Sequence, residues 1–116
     1  MGAVAHRSRG PSVSDATMPC ATLVSALCRM ARARCPDLVF SSIALTKNTQ
    51  SPLHVDALNI GDSAIFGFGE FRGGALWVLG SGATRVGSGP LRFDGTLPHC
   101  TLSFEGTRYT VRAGAE

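Results

Sequence analysis

The tripeptide His54-Val55-Asp56 sets an imidazole and a carboxylate two residues apart. On extended backbone, residues i and i+2 point to the same face, so both ligand atoms approach one point in space. Two ligands do not make a metal site, and the chain holds two further histidines, His6 and His99. His6 lies in a polar leader. His99 stands 43 residues beyond Asp56 and opens His99-Cys100-Thr101-Leu102-Ser103-Phe104, a segment that alternates like a strand. Two imidazoles and one carboxylate on one side of a metal leave its opposite positions open, the set that suits a reactive non-haem Fe(II). The bland alternative is a turn-side polar pair at His54 and Asp56, with His99 a hydrogen-bonded strand residue. Nine residues beyond His99 comes Arg108, then Thr110. These are again i and i+2, so one strand presents both to the same interior.

The elements that must position these residues are mostly β. Residues 1–16 are small, polar and broken by Gly10 and Pro11, and are expected to be a disordered leader. Residues 17–116 form the expected domain. Leu23, Leu27, Met30 and Ala31 recur at helical spacing, Arg29, Arg32 and Arg34 occupy the later turns, and Pro36 stops the run. This predicts an amphipathic helix over 19–35, lying against a sheet. The β region spans 38–112, with strands expected at Leu38–Leu45, His54–Leu58, Ala64–Phe68, Ala75–Leu79, Leu91–Asp94, Cys100–Phe104 and Arg108–Arg112. Gly80–Pro90 reads as a flexible Gly/Ser loop, and Glu105-Gly106-Thr107 as a tight turn between the last two strands. Gly67-Phe68-Gly69 lacks both the spacing and the following helix of a phosphate-binding loop.

At 116 residues the chain is one small domain at most. Residues 1–36 carry five arginines against one acid, whereas residues 37–116 carry six bases against seven acids. The near-neutral body offers no basic stripe for a nucleic-acid footprint, and the basic leader is read as a solvated tail. Cys20, Cys28, Cys35 and Cys100 form no C-x-x-C pair and follow no signal-peptide hydrophobic region. Reduced thiols in an intracellular protein are expected, in the cytoplasm or nucleus, with organelle targeting by the acid-poor leader as the alternative. No apolar run is long enough for a membrane span.

The order H-x-D, then His, then R-x-[S/T] resembles the Fe(II)/2-oxoglutarate-dependent dioxygenases. Three stretches resemble more specifically a microbial-eukaryote branch near the Tet/JBP-like oxygenases: Leu53–Asn59, Phe68–Leu76, and Phe93–His99 with Gly106–Thr110. The likeness covers about residues 38–112. It implies a double-stranded β-helix, or jelly roll, preceded by the helix. It further implies that His54, Asp56 and His99 bind Fe(II), while Arg108 and Thr110 hold the far carboxylate of 2-oxoglutarate. Asn59 is a further candidate for orienting cosubstrate or substrate. Arginine suits its role because it gives two parallel charge-assisted hydrogen bonds and stays charged. The reaction implied is oxidation of an organic substrate, with succinate and carbon dioxide as co-products. The resemblance leaves the substrate open between a nucleobase and a protein side chain.

The chain departs from the family in two places. The interval before the Phe93-Asp94-Gly95 block is only the Gly/Ser loop, and Ala113-Gly114-Ala115-Glu116 stands where an apolar strand end is usual. Both leave the completeness of an eight-stranded roll open. The rival from another class is a non-catalytic β-sandwich binding module, with a truncated, inactive oxygenase relative in the same practical category.

Overall fold

A computed structural model describes residues 21–116, so the leader and the first two residues of the expected helix lie outside the described residues. Helix α1 (Ala21–Arg34) follows the expected spacing: Leu23, Val24, Leu27, Cys28, Met30 and Ala31 share one side. Arg32 and Arg34 stand in its last turn, where positive charge suits the carbonyl end of a helix, and the Arg34 guanidinium donates to the Ser88 carbonyl. The amide of Cys35 still donates to the Ala31 carbonyl at 2.9 Å before Pro36 ends the run.

Among the described residues the remaining regular structure is antiparallel β, in nine strands: β1 (Ser42–Lys47), β2 (Ser63–Phe68), β3 (Phe71–Gly73), β4 (Leu76–Val78), β5 (Gly82–Thr84), β6 (Leu91–Phe93), β7 (His99–Thr101), β8 (Phe104–Gly106) and β9 (Tyr109–Gly114). The large sheet has the order β1-β9-β2-β6. β9 lies between β1 and β2, with Ser42 opposite Gly114, Lys47 opposite Tyr109, and Ala64 opposite Ala113. The small sheet has the order β5-β4-β7, and an antiparallel bridge from His54 to His99 adds a fourth segment at its β7 edge. β3 and β8 form a separate ribbon.

Alternation divides the large sheet into two unlike faces. Outward, Ile43, Leu45, Ala64, Phe66, Val111 and Ala113 pack with Cys28 and Ala31 of α1 and with Cys35 and Leu38. Inward, Ile65 joins Leu76, Val78, Val86 and Phe93 in a smaller apolar cluster. The remaining inward positions include Ser42, Thr46, Thr110 and Arg112.

Four expectations are corrected. The strand expected over His54–Leu58 is a single bridge at His54. After it, the Asp56 amide donates to Gly95 and the Asn59 amide closes a turn onto Asp56 at 3.0 Å. The Gly/Ser loop contains β5, and Val86 is only 1% exposed because its side chain fills the inner cluster. Residues Glu105–Thr107 are no hairpin turn: β8 pairs with β3, and the Thr107 amide donates to Glu70. Gly106, at φ +104°, permits this approach, since a Cβ there would strike the Glu70 carbonyl. The last strand does not stop at Arg112 but runs to Gly114, paired with β1 to its end and with β2 through Ala113.

Among the described residues Cys28 and Cys35 are buried, Cys100 is half-buried, and none is in a disulfide. Burial pushes the Cys28 thiol up, against the nearby Arg32 charge. No helix among the described residues is long and apolar enough to cross a membrane.

Candidate metal centre and adjoining cavity

His54, Asp56 and His99 each offer a ligand atom, and these atoms lie within 4.8 Å of one another. His99 comes from β7, and the bridge to His54 lays the second ligand beside it. Asp56, two residues on, reaches the same face as expected. Nε2 of His54 is 3.8 Å from Asp56 Oδ1, and Nε2 of His99 is 3.4 Å from Asp56 Oδ2. The two rings tilt against each other at 4.3 Å between centroids.

Backbone carbonyls fix both imidazoles. Nδ1 of His54 lies 2.6 Å from the Pro52 carbonyl, and Nδ1 of His99 lies 2.7 Å from the Leu97 carbonyl. A carbonyl oxygen only accepts, so Nδ1 of each ring donates to it, and Nε2 is the ring atom turned toward Asp56. This is the arrangement that orients metal-binding histidines. The side chains of Asp56 and His99 are 9% and 3% exposed, and His99 Nε2 is buried without a hydrogen-bond partner. A buried ring nitrogen without a hydrogen bond, beside a second imidazole and a carboxylate, fits a divalent cation of borderline hardness.

Arg112 is the residue that sequence reasoning missed. Its guanidinium donates to Asp56 Oδ2 and lies over the Phe93 ring at 5.6 Å. Phe93 in turn meets His99 edge-on at 5.2 Å. Burial pushes the Asp56 carboxyl up, but the charge and hydrogen bond of Arg112, with His54 and His99, hold it below the usual carboxylate range. The signal was present in period 2: Arg108, just before β9, and Thr110 and Arg112 on it stand at every second residue and line the same cavity.

Arg108, Thr110, Arg112 and Asn59 line a cavity of about 260 Å³, together with Thr46 and Thr101. Of the six expected site residues, Arg108, Thr110 and Asn59 therefore share this cavity, while His54, Asp56 and His99 gather beyond Arg112. Arg108 is 2% exposed. Its guanidinium donates to the Gly74 carbonyl at 2.9 Å and reaches the Thr49 carbonyl at 3.5 Å, while Nε has no partner. Phe71 and Phe104 lie 5.6 and 5.4 Å from its charged carbon. Among the described residues no carboxylate pairs with it, and burial pushes its ionisation below the ordinary value. Gly74, at φ +73°, makes room for it: a Cβ there would stand 2.6 Å from Arg108 Nε. Thr110 Oγ1 shares a 2.6 Å hydrogen bond with Thr46 Oγ1, and Asn59 Nδ2 donates to Ser63 Oγ at 2.7 Å.

A scan against protein-family models finds no match for this chain, and a search of curated proteins finds none either.

Proposed function

We propose that this chain is a small Fe(II)- and 2-oxoglutarate-dependent oxygenase built on a jelly roll. The observation that carries the reading is the pairing of two unmet demands on either side of Arg112, which lines the cavity and bonds Asp56. His99 Nε2 is a buried ring nitrogen without a hydrogen bond beside His54 and Asp56, and Arg108 is a buried cation with no anion beside it among the described residues.

Support for the roll comes from nested strand pairing. Counting the His54 segment and leaving aside the β3–β8 ribbon, eight segments pair first with last, second with seventh, third with sixth and fourth with fifth. The β2–β9 and β4–β7 ladders then close the two sheets. That is the pairing of one long hairpin rolled upon itself.

In this reading His54, Asp56 and His99 hold the iron. Bound there, Fe(II) supplies dioxygen-dependent oxidation of an organic substrate coupled to conversion of 2-oxoglutarate into succinate and carbon dioxide. The chain's own residues do the positioning. The Pro52 and Leu97 carbonyls hold both rings by Nδ1 with Nε2 turned toward Asp56, and Arg112 holds the Asp56 carboxylate in place. Arg108 takes the far carboxylate of the cosubstrate, the Thr110 hydroxyl adds a donor, and Asn59 orients what enters. Phe71 and Phe104 keep water from the guanidinium, which strengthens its grip on an anion.

A second reading, a non-catalytic binding module, draws on the Arg112–Asp56 ion pair, which satisfies part of the carboxylate without any metal. Titration with Co(II), followed by 2-oxoglutarate, separates the two. The oxygenase reading expects one metal per chain, loss of that metal in His54→Ala, and succinate formation from 2-oxoglutarate with Fe(II) and dioxygen alone. Indifference to metal in both proteins overturns it.

A further inference from the structure

The two sheets are treated differently on their outer faces. α1 covers that of the large sheet. The small sheet's outer face is also apolar, yet among the described residues nothing covers it. The registers identify its members. Leu76 and Val78 of β4 and His99 and Thr101 of β7 are buried inward, so Trp77 and Cys100, which are opposite one another, point out. Ala83 of β5 lies opposite Trp77 on the other side. The His54–His99 bridge turns Leu53 and Val55 outward beside Cys100 and Pro98. Leu79, whose amide donates to Pro98, and Leu102, whose amide donates to Ala75, complete the patch. Leu53, Val55, Leu79 and Leu102 are 62%, 49%, 52% and 38% exposed. No charged residue stands among these eight.

We infer that this face is a dimer interface that pairs with the same face of a second copy of the chain. Three observations select that occupant. A surface without charge has no complementary charge to seek and nothing to repel its own copy, so it fits an isologous contact. Trp77, the single tryptophan of the chain, is half-buried in the centre between Cys100 and Ala83, the place where aromatic anchors dominate interfaces. The size fits a weak, reversible contact. Residues 75–79 and 98–102 are laddered to each other along their length, while β5 and the His54 segment add about three positions each. At about 4.8 Å between strands and 3.4 Å per residue the footprint is roughly 260 Å². With side-chain relief this is about 400 Å² of accessible surface, and two copies bury about 800 Å², the range of transient association. The contact stacks sheet on sheet, an apolar packing that such faces form inside sandwiches. It lies on the opposite side of the small sheet from His54 and His99, so it leaves the candidate metal centre free.

The test uses the full chain without metal. Sedimentation equilibrium is combined with the emission of Trp77 across a dilution series. Expected is a monomer–dimer equilibrium, with Trp77 emission shifting to the red as the dimer dissociates. Leu79→Glu and Ala83→Glu, both at exposed positions, are expected to raise the dissociation constant at least a hundredfold while leaving the far-ultraviolet circular dichroism unchanged. A monomer at every concentration overturns the inference. If its Trp77 emission is blue and independent of concentration, another part of the same chain covers the face. If the emission is red throughout, the face is free for a different partner. A dimer that survives both glutamate variants also overturns the inference, because its interface lies elsewhere.

Discussion

The outer and inner faces of the large sheet come from the same strands, residue by residue in alternation, yet they have opposite character. Outward, Ile43, Leu45, Phe66, Val111 and Ala113 meet helix α1 in a continuous apolar layer. Inward, Ser42, Thr46, Thr110, Arg108 and Arg112 surround a cavity, and the apolar cluster between the sheets is confined to one end. In an ordinary two-sheet sandwich the layer between the sheets is the main core. Here the main core lies between sheet and helix, which relieves the inter-sheet space of that duty. A buried arginine without a carboxylate is tolerable there because stability is supplied on the other face.

This division can be broken by mutation. The largest effect is expected from Phe66→Ala. Phe66 is fully buried under α1, and its loss should cost about 3–5 kcal/mol in urea denaturation, a large part of a small domain's stability. A cost under about 1 kcal/mol would move the core elsewhere.

Next comes Arg108→Met, which tests the inner face. The substitution removes a desolvated charge and keeps an unbranched chain among Phe71 and Phe104. Stability without ligand should stay within about 1 kcal/mol of the parent or rise, since buried charges often give way to apolar residues without loss. By isothermal titration with metal present, 2-oxoglutarate affinity should fall at least about a hundredfold, or about 2.7 kcal/mol. Arg108→Lys keeps the charge without the fork and should lose at least about tenfold. Unchanged affinity in both variants would detach Arg108 from any cosubstrate.

Two neighbours on β9 sharpen the contrast. Val111 points to the helix and Thr110 to the cavity. Val111→Ala should cost about 2 kcal/mol. Thr110→Val gives up the hydrogen bond to Thr46 and should cost about 1 kcal/mol. Thermal melts of the two proteins should reproduce that order.

The smallest effect belongs to the rim of the outer face. Arg92 hydrogen-bonds Asp37 at 2.7 Å, and chiefly through that bond holds its carboxyl below the usual range. A lowered folded-state value means stability that is present above the unfolded carboxylate range, about 3.9, and is lost as the pH falls through the folded value. Wild-type protein should therefore melt slightly above Arg92→Ala at pH 7. The gap should close in acid below about pH 4 and stay constant between pH 5 and 7.

How much of this was legible follows from how local each signal is. His54, Asp56 and His99 were readable because i, i+2 spacing and a strand-opening histidine are properties of short segments. The helix was readable because Leu23, Leu27 and Ala31 repeat at its period. Arg112 was not, although it continues the alternation of Arg108 and Thr110, because its meaning depends on Asp56 arriving from 56 residues earlier. β5 was hidden because Gly82 and Ala83 carry little propensity of their own, and the strand exists through its ladder with β4. The polar inner face was equally hidden. Alternation shows that a strand has two faces, and only the partner layers decide which face becomes the core.

The central position of β9 has a consequence for how the protein is made. β9 follows every other strand in the chain, yet it is the strand that joins β1 to β2. Until it leaves the ribosome, β1 has no neighbour in the large sheet, and the edge of β2 that will receive β9 stays open. The helix has only half a platform, and Arg108, Thr110 and Arg112 have not yet been delivered. Contacts such as Ser42 with Gly114 span nearly the whole domain, the kind of topology that folds slowly because distant ends must meet first. The same late strand that completes the sheet also brings in the last residues of the cavity.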